Sequence, residues 1–251
     1  MAVIIFFVIH HYLSLFSQTF FQHRYAAHGA FTMSRGWERF FYIFTWLTEG
    51  SSYLSPRAYA LMHRMHHAYA DTDKDPHSPL HYKNVFAMMW ATKTMYTDIF
   101  DNKFPVEERF TKNLPSWDSF DRFVHGWGPR VVWAAGCTAF YVYFATAWWQ
   151  WLLLPIQLMI GPVHGAIINW YAHKYGYKNF KLKSTAVNLL PVDVIMLGEA
   201  YHNNHHKRAS HPNFGVRKYE LDPVYPFIRL FNAVGIIKLK KLPTEFIETD
   251  F

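Results

Sequence analysis

Charge in this chain is confined to two blocks, and that distribution restricts the fold more than any motif does. All 25 Lys and Arg residues fall within 24–130 and 174–241, whereas 1–23 and 131–173 carry no Lys, Arg, Asp or Glu. A bilayer core about 30 Å thick takes roughly 20 apolar residues to cross as a helix. The first charge-free stretch is long enough for one crossing and the second for two. Membrane helices are therefore expected at about 1–21, 131–150 and 152–172, with a turn near 148–155. Trp148-Trp149-Gln150-Trp151 suits an aromatic belt at that turn. Gly161-Pro162 is expected to kink the returning helix, which is tolerable where neighbours satisfy the freed carbonyl. No basic segment precedes the first apolar run and no A-x-A-like site precedes His23, so the run is expected to stay as a helix and not as a cleaved leader.

The remainder, 22–130 and 174–251, reads as polar helices and proline-rich turns such as Asp75-Pro76-His77-Ser78-Pro79, forming a cytosolic helical part over one membrane face. The fold class expected is all-α in a single domain, 1–251. Residues 37–56 are intermediate: Phe40, Phe41, Ile43, Phe44, Trp46 and Leu47 are interrupted by Glu38, Arg39, Glu49 and Gly50. An interfacial or re-entrant segment fits this pattern better than a span. The net charge of +7 is interspersed with acids and forms no basic stripe, which argues against nucleic acid. In a membrane protein it marks the cytoplasmic face. The lone Cys137 excludes an intramolecular disulfide framework and a cysteine zinc site.

The chain holds 16 histidines, and nine of them are grouped or placed as ligands would be. His23 and His28 form H-x4-H; His63, His66 and His67 form H-x2-H-H; His202, His205 and His206 repeat it. His173 follows the second charge-free stretch, four residues after Asn169. On an α-helix, positions i and i+4 differ by about 40° around the axis and i+3 and i+4 by about 100°. His63 and His67 can thus grip one metal while His66 turns toward another, and His202 and His206 grip the second while His205 crosses back. His23 and His28 differ by about 140° on an α-helix, so this box is expected where the first helix frays or ends. His10, His11, His77, His81, His125, His164 and His211 lack ligand spacing and are expected as ordinary buried or surface residues, with His77 and His211 as candidate donors beside the boxes.

Imidazole suits several metals, but nine imidazoles exceed the needs of one four-coordinate zinc. Two redox-active ions, with iron the expected metal, fit better. A carboxylate di-iron site would need two Glu-x-x-His motifs, and Glu199-Ala-Tyr-His202 supplies only one. To share a site, all boxes must lie on one side of the membrane. One crossing before the first box and two between the second and third achieve this, provided 37–56 does not cross. The site is then cytoplasmic.

These motifs resemble the membrane fatty acyl desaturase family, in its stearoyl-CoA and bacterial delta-9-like branch. The resemblance is carried by His23-Arg24-Tyr25-Ala26-Ala27-His28, by His63-Arg64-Met65-His66-His67 and by 198–206, Gly198-Glu199-Ala200-Tyr201-His202-Asn203-Asn204-His205-His206. Asp75-Pro76-His77 and Asn169-x3-His173 support it. It implies that His23, His28, His63, His67 and His205 hold one iron, and that His66, His173, His202 and His206 hold the other, with Asn169 acting through a water. Family members usually place two membrane helices before the first box; here only 1–21 precedes it.

The implied reaction is O2-dependent removal of two hydrogens from an acyl chain to give a cis double bond, delta-9-like, on acyl-CoA or lipid-linked chains. The implied partners are the bilayer, a fatty acyl substrate linked to CoA, carrier protein or lipid, and an external ferredoxin or cytochrome b5-type electron donor, because no His-Pro-Gly-Gly motif is present. The expected location is a bacterial inner membrane in preference to endoplasmic reticulum. Aromatic-rich helices would line the acyl tunnel, and Arg57, Arg64, Lys174 and Lys178 are candidates to meet a phosphate headgroup. The alternatives are a fatty acyl or lipid hydroxylase with the same metals and, outside enzymes, a metal-transport or haem-binding membrane protein. Transport calls for ligands at mid-membrane depth, where only His10, His11 and His164 lie.

Overall fold

The computed structural model describes residues 1–240, so the last part of the expected cytosolic region, 241–251, lies outside the described residues. Helices dominate, joined by one two-stranded ribbon, in accord with the all-α expectation. Helix α1 (Ala2–Ser17) runs without interruption into a π-helical turn, Gln18–Ala27. The 26-residue helix so formed is, among the described residues, the one helix that alone is long and apolar enough to cross a membrane. One of its sides exposes Ile5, Val8, Ile9 and Leu13.

Gly29, with φ at 55°, turns the chain into strand β1 (Phe31–Met33), and the Ser34 hydroxyl then caps α2 (Arg35–Glu49) by accepting from the Trp37 amide. Helix α2 packs back along α1. Its Phe41 and Tyr42 rings meet Phe21, and Thr48 hydrogen-bonds Ser17 at 2.6 Å. Gly50 reverses the chain at φ 56°, where a Cβ would lie 2.1 Å from the Trp133 ring. By Leu54 the backbone is level with Gln22, whose side chain donates to the Leu54 carbonyl at 2.8 Å. Segment 37–56 thus runs alongside α1 and returns.

Helix α3 (Pro56–Tyr69) starts from a Ser55 cap with proline at its first position, a favourable opening because proline lacks only an amide that no helix uses there. It packs against the π turn and α4 (Val85–Phe100). After α5 (Asp118–His125), helix α6 (Trp127–Phe144) begins and ends several residues before the 131–150 expected for it. A second apolar rod follows, broken in the middle: α7 (Leu153–Leu158) and α8 (Ile160–Ala166), the latter continued by a π turn Ile167–Tyr171, are bent by 75° at Met159. The break reflects Pro162, which has no N–H for the Leu158 carbonyl. The Ser51 hydroxyl donates to that carbonyl instead, at 2.7 Å, and the Gly161 amide donates to Ser52 Oγ at 3.3 Å. The turn after α2 therefore supplies the bonds that the kink removes. Helix α10 (Tyr225–Ala233) and strand β2 (Ile237–Leu239) return to the π turn, where Ile228 and Ile237 join Phe20, Phe21, Phe31 and Phe41 in one core.

Candidate metal centre

The π turn answers the problem posed by H-x4-H. A π-helix closes i→i+5 bonds, and the His28 amide donates to the His23 carbonyl at 3.1 Å. Residues five apart then stack, so His23 and His28 turn to the same side and their rings stand 4.9 Å apart. The box does lie where the first helix ends, with His28 as its cap, but the end is not frayed: His23 sits in a wider helix. On α3, His63 and His67 face this pair while His66 points away. On the six-residue helix α9 (His202–Lys207) the roles reverse, with His205 alone facing the first group.

Two groups of imidazoles result: His23, His28, His63, His67 and His205 in one, and His66, His173, His202 and His206 in the other, each with ligand atoms within 4.8 Å of one another. In the first group Nε2–Nε2 separations are 3.0 Å for His23–His205, 2.9 Å for His28–His63 and 2.8 Å for His67–His205. In the second they are 3.2 Å for His66–His206 and 3.0 Å for His173–His202 and His202–His206. Two imidazoles at right angles on one ion, with bonds of about 2.1 Å, would sit about 3.0 Å apart.

Carboxylates select the tautomers. His23 Nδ1 donates to Glu199 at 2.8 Å, and His66 Nδ1 donates to Asp75 at 2.9 Å. Both Nε2 atoms are then bare lone pairs aimed at other histidines, an arrangement that calls for a cation between them. Burial, followed by repulsion among the rings, holds His28, His63, His67, His202, His205 and His206 well below the usual imidazole range, and His66 is lowered to about 3. Neutral imidazole is the form a metal requires. The residues present fit a pair of metal ions.

The orienting groups were not foreseen from the motifs. Burial raises the Glu199 carboxyl, but His23, Arg24 and Thr19 together outweigh it and leave the group below its ordinary value. Arg24, fully buried, bonds Asp222 at 2.7 Å and lies 3.6 Å over the Phe214 ring. Thr185 and, at 3.8 Å, Asp71 stand by His173 Nδ1. Arg24 and Glu199 at least lie within the first and third motifs, whereas Asp71, Thr185 and Asp222 lie outside every box. Asn203 and Asn204 likewise anchor α9: Asn204 donates to Phe214 O and Glu220 and accepts from Asn179 and Asn188.

Asn169 lines a cavity of about 50 Å³ together with His23, His63, His202 and Glu199. Of the remaining histidines, His77 stacks 4.3 Å from His66, His125 lies on Phe100 and His10 on Trp133. His211 Nδ1 lies 2.7 Å from the Asn213 carbonyl, and His81 Nε2 lies 3.0 Å from that of Thr72. Arg64 is not available to a headgroup: its guanidinium donates inward to the carbonyls of Ala26, Ala27, Phe110 and Lys112, tying α3 to the π turn. Lys174 rests 3.4 Å over the Trp170 ring.

The chain matches the fatty acid desaturase family model over residues 1–232 and belongs to that family. Delta-9 desaturase-like 5 protein of Arabidopsis thaliana is 28% identical across 93% of this chain and 75% of its own length. Delta-9 acyl-lipid desaturase 1 of the same plant is 24% identical, over 89% and 70%. Icosanoyl-CoA 5-desaturase of Limnanthes douglasii is 25% identical, over 89% and 60%. Family membership makes the chain an oxidoreductase of lipid metabolism whose substrate is a fatty acyl chain. The relatives' names differ in both bond position and carrier.

Proposed function

We propose that the chain is a membrane-embedded desaturase that holds two non-haem irons on nine imidazoles and introduces a cis double bond in an O2-dependent reaction. The observation that carries this is the division of the nine rings into two groups whose Nε2 atoms converge. His23, His28, His63, His67 and His205 would hold one iron; His66, His173, His202 and His206 would hold the other, with Asn169 contributing through a water. Bound there, the irons supply the oxidising power to break unactivated C–H bonds, which acid–base side chains lack. The protein's part is placement: Glu199 and Asp75 fix the rings, and Leu15, Met62 and Ile168 close the apolar side of the cavity against water. Electrons would arrive from a ferredoxin or cytochrome b5-type donor.

The membrane reading places α1, α6 and the kinked α7–α8 rod in the bilayer, with 37–56 dipping in and returning. It is supported by the band of exposed apolar residues they share, including Val8, Val132, Val142, Trp148 and Ile156. The boxes would then sit on the cytoplasmic side. A delta-9-like position on acyl-CoA or lipid-linked chains is the preferred reading because two of the relatives carry delta-9 names. Double-bond mapping of lipids from an expressing host, with His67→Ala as control, tests the proposal. A new cis bond with the intact chain alone is expected, along with about two irons per chain. Gain of oxygen without loss of two hydrogens would make the enzyme a hydroxylase.

A further inference from the structure

Two histidines outside the metal groups form a chain in the apolar half. His164 on α8 is 2% exposed. Its Nε2 stands 3.1 Å from Nδ1 of His11 on α1, and His11 Nε2 stands 3.0 Å from the Ile195 carbonyl. A carbonyl only accepts, so a neutral His11 carries its proton on Nε2 and offers Nδ1 as an acceptor. His164 must then donate from Nε2, which leaves its own Nδ1 without a proton. That Nδ1 is buried and has no partner among the described residues. His164 also lines the cavity that His23, His63, His202 and Asn169 share. A buried acceptor with nothing to accept from is unfavourable until a ligand donates to it.

We propose that His164 is a recognition residue: its Nδ1 accepts a hydrogen bond from an O–H donor lodged in the cavity beside the reacting carbons. This rests on the desaturase reading for the identity of the occupant. Two sources offer that chemistry, a hydroxyl carried by the acyl chain or a water held next to a plain chain; the cavity of about 50 Å³ has room for a water as it stands, and its polar wall suits either donor. His11 is the positioning residue, because it sets which nitrogen of His164 is bare.

The test uses the full chain with its metal sites filled, a diamagnetic divalent ion replacing iron, with octadecanoic acid and a set of its mid-chain hydroxy derivatives as probes. Nitrogen-15 spectra of histidine-labelled protein report His164, assigned by its loss in His164→Gln. An unprotonated Nδ1 is expected. Under the hydroxyl source its resonance moves only with a hydroxy acid, which binds wild type about tenfold or more tightly than the plain acid, and His164→Leu erases that preference. Under the water source Nδ1 is hydrogen-bonded with the plain acid as well, and no acid is preferred. The proposal is overturned if Nδ1 carries the proton, or if it stays unbonded with every probe. Should a variant misfold, ring-to-backbone connectivities in wild type assign the His164 resonance instead, so the test stands. Failure to form double bonds in lipids would count against the desaturase reading alone.

Discussion

The second and third histidine boxes spell the same motif and are held by opposite means. His63, His66 and His67 ride on a 14-residue helix with its own cap and proline start, so backbone geometry alone presents them. His202, His205 and His206 sit on six residues, too few for a helix to persist unaided. There the backbone is held from outside by Asn188, which accepts from the Asn203 and Asn204 amides at 2.9 and 3.2 Å, and by the bonds of Asn203 and Asn204 themselves. An identical ligand pattern can therefore rest on local helix propensity in one place and on long-range side-chain amides in another.

Removing a ring should erase this contrast, because the metals need both boxes. His63→Ala and His202→Ala are each expected to lower desaturation at least about 100-fold, with iron content falling in parallel. Iron content unchanged from wild type in both variants would show that the rings are not ligands. Removing the supports should restore the contrast. Asn204→Ala leaves Glu220, Asn179 and Asn188 short of partners and is expected to cost roughly 2–4 kcal/mol in chemical denaturation. Ser55→Ala, at the cap of α3, should cost less, about 1–2 kcal/mol. A reversed order would refute the comparison. Between these lie the orienting carboxylates: Glu199→Gln and Asp75→Asn should each weaken iron binding by about 10–100-fold, read by metal competition.

The smallest effect concerns pH. His125 stacks 3.8 Å over Phe100, near Tyr96, whose hydroxyl accepts from the Ser55 amide beneath α3. Burial lowers His125 to about 4. An imidazole lowered by folding takes up protons in the unfolded chain first, so its contribution is lost as pH falls from 6.5 toward 4. The fall in Tm between pH 7 and pH 5 should be shallower in His125→Phe than in wild type; identical slopes would contradict this.

The partition of the nine rings was legible in the sequence for boxes two and three, because i, i+3 and i+4 have definite phases on an α-helix. It is not legible for His23 and His28, because α phasing sets residues five apart about 140° from each other whereas the chain there adopts a π turn. The kink was legible from Pro162, but not that Ser51, 107 residues before Leu158, would cap the freed Leu158 carbonyl. Glu199 was weighed only as a ligand, and its role beside His23 depends on a contact spanning 176 residues. Local phase can be read from spacing; partners brought together by the whole fold cannot.

The clasp between Arg24 and Asp222 has a consequence for biogenesis. The arginine beside the first histidine box is buried against a carboxylate 198 residues further along, and the two ring groups draw on His23 at one end and His206 at the other. During synthesis the first box leaves the ribosome long before its counterparts exist, with a cation beside it whose carboxylate partners, Glu199 and Asp222, arrive far later. Neither ring group can close on the nascent chain. If the two groups hold iron as proposed, the complete ligand sets form only after translation has passed His206.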